Sequence, residues 1–245
     1  LAAGAVAVPV NPLLTCEETK DVCSRTRPRL FLSEKRDHNP DLHIAAHDRC
    51  DTLPQSKGQM EIVPRSADAS AVVFFTSGTT GRAKGVVLSH NNLRSNSEWV
   101  CSQSLATEQW GPGLINAAVL PLSHSFAMTC SQNATLMAGG TLTHMARFDA
   151  VRLLRQIREL GVTTIALVPS AIRSLVEAWR EDQGPVPLRH CLVGGAPIPA
   201  ELVHEVESSL GAEVLEGYGL TETSPVCAFR TPAIPRKRGS VGRAA

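Results

Sequence analysis

An apolar, β-rich run, Ala71-Val72-Val73-Phe74-Phe75, opens directly into Thr76-Ser77-Gly78-Thr79-Thr80-Gly81-Arg82-Ala83-Lys84-Gly85. Hydroxyls, glycines and a single lysine in that order suit a backbone-lined loop against a polyphosphate. Glycine permits positive φ and close approach, while successive N–H groups and Ser/Thr hydroxyls can face anionic oxygens. The standard nucleotide P-loop is excluded, because it needs lysine directly after the second glycine and a hydroxyl directly after the lysine. Here Arg82 follows Gly81, and Gly85 follows Lys84. An ordinary strand-ending turn built of Gly and Thr is the competing reading.

Four further segments carry chemistry-bearing residues in short, ordered clusters. They are Leu120-Pro121-Leu122-Ser123-His124-Ser125-Phe126, Leu192-Val193-Gly194-Gly195-Ala196-Pro197, Glu216-Gly217-Tyr218-Gly219-Leu220-Thr221-Glu222-Thr223 and Gly239-Ser240-Val241-Gly242. With the loop from Thr76, these five motifs in this order resemble the core motifs of the adenylate-forming, AMP-binding enzymes, and the resemblance spans nearly the whole chain. Tyr-Gly-Leu-Thr-Glu-Thr-Ser-Pro and Leu-Pro-Leu-Ser-His-Ser-Phe are most similar to fatty-acyl-CoA synthetases, and less so to the Tyr-Gly-Pro-Thr-Glu form of peptide-synthetase modules.

The resemblance implies a set of roles. Thr76, Ser77, Gly78, Thr79, Thr80, Gly81 and Lys84 would cradle the β and γ phosphates of ATP. Tyr218, the sole tyrosine, would stack on adenine opposite Gly195, Ala196 and Pro197, within the cofactor-binding stretch Glu216, Gly217, Tyr218 and Gly219. Thr221 would hydrogen-bond the α-phosphate, and Glu222 would hold Mg²⁺, whose preference is for oxygen ligands. His124 would stand at the mouth of the acyl pocket; Ser123 replaces the bulkier residue usual there and is given no role. The implied activity is ATP-dependent ligation of a carboxylic acid to coenzyme A through an acyl-adenylate. Acyl-AMP ligases and carrier-protein-loading enzymes are the alternatives within the family, and a non-catalytic nucleotide-binding module the alternative outside it. The ribose aspartate, the following arginine and the mobile C-terminal domain with its lysine would lie beyond the last motif. The sequence therefore reads as part of the large N-terminal domain of a longer enzyme.

Composition narrows the class. Across 245 residues, 24 Lys plus Arg stand against 23 Asp plus Glu, which gives no electrostatic basis for binding nucleic acid or an anionic membrane. Apolar residues make up 43%, yet no uninterrupted apolar stretch approaches the roughly 20 residues of a membrane span. Seven scattered cysteines without a Cys-x-x-Cys indicate neither a disulfide framework nor a zinc site, and fit a reducing cytoplasm. His43 and His47 share helical spacing near Cys50, but within a polar segment that reads as surface. Only five of the basic residues are lysines, a bias expected of a GC-rich bacterial source.

The elements that must hold these motifs alternate between apolar β-rich runs and amphipathic helical patterns, the sign of an α/β fold with mostly parallel sheets flanked by helices. Residues 1–66 read as strand (5–10), helix from the capping box Thr15-x-x-Glu18, strand (29–32) and an irregular polar segment. Residues 67–245 read as the phosphate loop and a nucleotide-site and acyl-site core. Strands are expected at 71–75, 115–120, 141–145, 162–168, 191–193 and 213–215. Helices are expected from Ser89 towards Leu105, and at 126–137, 148–160, 169–179 and 199–210. The first four motifs, from Thr76, Pro121, Gly194 and Glu216, then follow the carboxyl ends of strands, where open α/β sheets bind ligands.

Overall fold

The computed structural model describes residues 1–32, 46–47, 61–76, 83–105, 113–145, 147–237 and 239–245. The first helix, α1 (Cys16–Thr26), begins where the sequence indicates. Thr15 Oγ1 accepts from the Glu18 N–H at 3.3 Å, and Glu18 Oε2 accepts from the Thr15 N–H at 2.8 Å. Two short strands, β1 (Phe31–Leu32) and β2 (Ala46–His47), pair in parallel. The candidate ligands His43 and Cys50 lie outside the described residues.

The strand expected at 5–10 is reduced to a single parallel bridge between Ala7 and Val72. Ala7 uses both its main-chain groups, N–H to Ala71 O and O to Val73 N–H, each at 2.9 Å. The next residue in phase is Pro9, which has no N–H to extend the ladder.

Strands β3 (Ser70–Thr76) and β4 (Lys84–Ser89) form an antiparallel hairpin in which Thr76 and Lys84 are the last pair at the neck. Sequence reading missed β4, because Lys84 and Gly85 continue the loop composition. Thr76 and Lys84, which flank the expected phosphate loop, therefore both belong to paired strands. Helix α2 (His90–Leu105) follows at once. Ser89 Oγ accepts from Asn92 N–H at 3.1 Å, and Asn92 Oδ1 accepts from Ser89 N–H at 2.9 Å, so the start is capped reciprocally.

Beyond the hairpin come β5 (Ile115–Ala118), a π-helical segment (Ala127–Asn133) running into α3 (Ala134–Met137), and β6 (Thr141–His144). Then follow α4 (Ala150–Leu160), β7 (Thr164–Leu167), α5 (Pro169–Asp182), β8 (His190–Val193), α6 (Ala200–Leu210) and β9 (Glu213–Gly219). The 3₁₀ turn Thr221–Thr223 leads to β10 (Val226–Phe229) and β11 (Arg243–Ala244). Among the described residues, the main sheet has seven strands in the order β11-β10-β9-β8-β7-β5-β6. Its five members from β6 to β9 are parallel; at one edge β10 pairs antiparallel with β9, and β11 pairs antiparallel with β10.

Alternation along the central strands explains why both faces are covered. Ile165, Leu167, Cys191, Val193 and Val214 point into a core shared with α4, α5 and α6, whereas Ala166, Leu192 and Leu215 pack with residues of α2, the π-helical segment and α3. Strands buried on both sides by helices are the usual form of a parallel sheet. On α4 the apolar residues Leu153, Leu154 and Ile157 are buried, while Val151 and Leu160, near its two ends, are exposed.

Below the last pairing with β10, the free edge of β9 is closed by side chains. The Val214 carbonyl accepts from Arg230 Nη1 at 2.8 Å and Arg236 Nη2 at 2.7 Å, and the Val214 N–H donates to Glu207 Oε1 at 3.2 Å. Arg236 Nη2 also donates to Glu207 Oε1 at 2.7 Å, which joins the pair.

Candidate functional site

The expected strand 213–215 continues as β9 to Gly219, so Glu216, Gly217, Tyr218 and Gly219 belong to the strand itself rather than to a loop beyond it. Gly217 and Gly219 pair with Phe229 and Val226 of β10. A Cβ on Gly217 would meet the Phe229 ring at 2.6 Å, so glycine here answers first to strand packing. Opposite this strand end, the Gly194-Gly195-Ala196-Pro197 turn leaves β8, with Gly195 at φ +81°. A side chain is disfavoured in that left-handed conformation.

A cavity of about 1090 Å³ opens between them. Gly195, Ala196 and Pro197 form one wall, and Glu216, Gly217, Tyr218 and Gly219 the other. Tyr218 is 53% exposed. Such a ring is not a core aromatic, and its face is available to a planar ligand.

Leu220 carries the cavity wall into the Thr221–Thr223 turn. The turn is held from within: the Leu220 N–H donates to Thr223 Oγ1 at 3.1 Å, and Thr223 Oγ1 lies 2.7 Å from the Pro225 carbonyl. Glu222 is exposed. Among the described residues, no hydrogen bond or ion pair engages its carboxylate. It therefore has the oxygen donors and the freedom a hard cation requires.

The segment after β5 reaches the same turn. Ser125, 6% exposed, donates from Oγ to Thr221 Oγ1 at 3.3 Å, which leaves the Thr221 proton free for an anionic oxygen. Thr129 Oγ1, in the π-helical segment, donates to the Ser224 carbonyl at 3.1 Å. Neither Ser125 nor Thr129 was singled out from the sequence; only the Ser in Ser123-His124-Ser125 beside a candidate histidine offered a signal. The His124 side chain is exposed and has no hydrogen-bond partner among the described residues, so it is not tied into the scaffold as a structural histidine would be. Ser123 Oγ is buried without a partner.

Strand β4 packs beside the Thr221–Thr223 turn. Thr76 Oγ1 lies 3.5 Å from the Lys84 carbonyl across the neck, and the Lys84 side chain is exposed. Ser77, Gly78, Thr79, Thr80 and Gly81 fall outside the described residues. The segments after β5, β8 and β9 thus leave the main sheet, whereas Thr76 and Lys84 belong to the separate hairpin, whose strand β4 packs beside the turn.

The family model for AMP-binding enzymes matches residues 1–245. This chain is a member of the AMP-binding enzyme family. A fatty acid–[acyl-carrier-protein] ligase, ScoC, of Streptomyces coeruleorubidus is 32% identical over 99% of this chain and 49% of its own length. A 4-coumarate–CoA ligase-like protein of Oryza sativa subsp. japonica is 30% identical over 98% of this chain and 48% of its own. Among solved structures, ATP-bound MatB from Rhodopseudomonas palustris superposes with a TM-score of 0.85 at 28% identity, over 99% of this chain and 50% of that one. The AMP-binding chain thus spans about half the length of such relatives. Among its described residues no helix is long and apolar enough to cross a membrane, and no cluster of His, Cys, Asp or Glu could hold a metal by itself. A cation at Glu222 would need ligand oxygens to complete its shell.

Proposed function

We propose that the protein carrying this chain is an ATP-dependent acyl-CoA ligase acting on a fatty acid or related carboxylic acid. A carboxylate oxygen attacks the α-phosphorus of ATP and the bond to pyrophosphate breaks. The coenzyme A sulfur then attacks the acyl carbon, AMP leaves, and the thiol proton passes to solvent. The observation that carries this reading is the convergence of the Tyr218 and Gly195–Pro197 walls with the turn that bears the Thr221 hydroxyl and the partner-free Glu222 carboxylate, beside which packs β4, the strand that begins at Lys84.

In this reading Tyr218 and the Gly195-Ala196-Pro197 turn hold adenine, Thr221 donates to the α-phosphate, and Lys84 with Thr76 to Gly81 cradles the terminal phosphates. His124 stands towards the carboxylate. Mg²⁺ held by Glu222 would neutralise charge on the phosphate oxygens as pyrophosphate departs. Fixed donors of this kind are worth most where charge develops in the transition state. A cytoplasmic setting belongs to the same reading, supported by the buried, unbridged thiols of Cys23, Cys101, Cys130 and Cys191.

The likeness to the carrier-protein ligase of Streptomyces favours a second acceptor, the thiol of a holo acyl carrier protein, with the same first half-reaction. Acid-dependent ATP–pyrophosphate exchange by the full-length protein, run over a panel of carboxylic acids, tests the adenylation step. Product formation with coenzyme A against holo carrier protein then separates the acceptors. ATP binding without exchange for any acid would instead identify a non-catalytic nucleotide-binding module.

A further inference from the structure

The side-chain amide of Asn96, on α2, grips the main chain of Val226 at both ends. Nδ2 donates to the Val226 carbonyl at 3.0 Å, and Oδ1 accepts from the Val226 N–H at 3.1 Å. Val226 sits where the β9–β10 register shifts, so a side chain supplies both bonds that a neighbouring strand would otherwise make. The two bonds together fix which end of the amide is which.

The places joined by this contact are the two halves of the phosphate site. Helix α2 follows β4 without an intervening residue, since β4 ends at Ser89 and α2 begins at His90. On the other side, Val226 follows the Thr221–Thr223 turn by three residues. Between them Ser224 adopts a left-handed conformation at φ +80°, and its carbonyl is already held by Thr129. A non-glycine residue keeps such a conformation only where its surroundings impose it.

We infer that Asn96 is a positioning residue for adenylation: it fixes the Thr221–Glu222 turn relative to the Lys84 arm of the hairpin, so that both sides of the phosphate site keep one spacing. The inference rests on the adenylation reading above. Asn96 touches no reactant and acts only through the groups it places.

The test uses ATP–pyrophosphate exchange by the full-length protein with Asn96→Leu and Asn96→Asp, each alone and combined with Thr221→Val, together with apo melting curves. Asn96→Leu is expected to lower kcat about tenfold or more while KM for ATP moves by less than about threefold. In the Thr221→Val background the same change should cost clearly less than in wild type, because one of the two groups being placed is gone. Asn96→Asp keeps the acceptor for the Val226 N–H and loses the donor, so it should fall between, and it serves if the leucine variant does not fold. A lowered melting temperature with unchanged kcat, or an equal fold-loss in both backgrounds, would overturn the positioning role alone. If Thr221→Val itself leaves kcat intact, the adenylation reading fails and this inference with it.

Discussion

The α-carbon of Gly219 faces the carbonyl of Pro225 with no room for a methyl group between them. The Leu220 N–H reaches that same carbonyl at 3.0 Å, so the contact closes the turn bearing Thr221 and Glu222. Forcing a side chain into such a contact shifts backbone rather than a flexible side chain, and overpacking typically costs about 1–3 kcal/mol. Gly219→Ala should therefore lower the denaturant midpoint and the rate of adenylation together. Gly113→Ala, where a Cβ would meet nothing within 4 Å, is the matched control and should change neither.

Tyr218 offers a ring face to the cavity while remaining half in solvent. Tyr218→Phe should leave ATP affinity nearly unchanged, whereas Tyr218→Ala should weaken it by about 1–3 kcal/mol, the size of a base–aromatic stack. Calorimetric titration of the full-length variants measures this. Unchanged affinity for the alanine variant would remove the residue from the nucleotide site.

Glu222 and Lys84 should fail in different ways. Glu222→Gln keeps the shape but removes charge from the proposed cation ligand, so kcat should fall strongly, on the order of 10²-fold. Lys84→Ala, at the neck of the hairpin, should chiefly raise KM for ATP. Steady-state kinetics on both variants decides the matter; small, equal effects would contradict the phosphate-site assignment.

His190 opens β8 at 3% exposure, and burial pushes its pKa below the ordinary 6.5, Glu213 opposing and Arg189 reinforcing the shift. The folded protein therefore holds this imidazole neutral where the unfolded chain has begun to take up a proton. Stability is unaffected above the unfolded value and is lost as pH falls below about 6.5, until the folded pKa is passed. Melting curves between about pH 5 and 7.5 should show a steeper acid slope for wild type than for His190→Gln.

Much of the main sheet was readable because its strands are apolar runs placed between amphipathic helices, and helix starts such as Thr15 and Ser89 carry their caps in the sequence. The misses have physical causes. Strand β4 begins in loop-like residues, and its pairing depends on β3 rather than on its own pattern. The extension of β9 passes through Gly217 and Gly219, which composition reads as turn, although there they admit β10 at close range. Strands β10 and β11 follow a turn and have no helix to announce them. At the site, the individual residues were legible from their order, but Ser125, Thr129 and Asn96 were not. Their contacts join segments of the chain 95 to 130 residues apart, and nothing local in the sequence marks such pairs.

The closure of β9 at Val214 also bears on how copies of this protein meet one another. An exposed strand edge is a template on which a second chain can add by main-chain pairing. Glu207, Arg230 and Arg236 already occupy both polar groups of Val214, and they present bulky, charged side chains where an incoming strand would have to lie. Truncating all three would leave both polar groups of Val214 open to main-chain pairing with a second molecule.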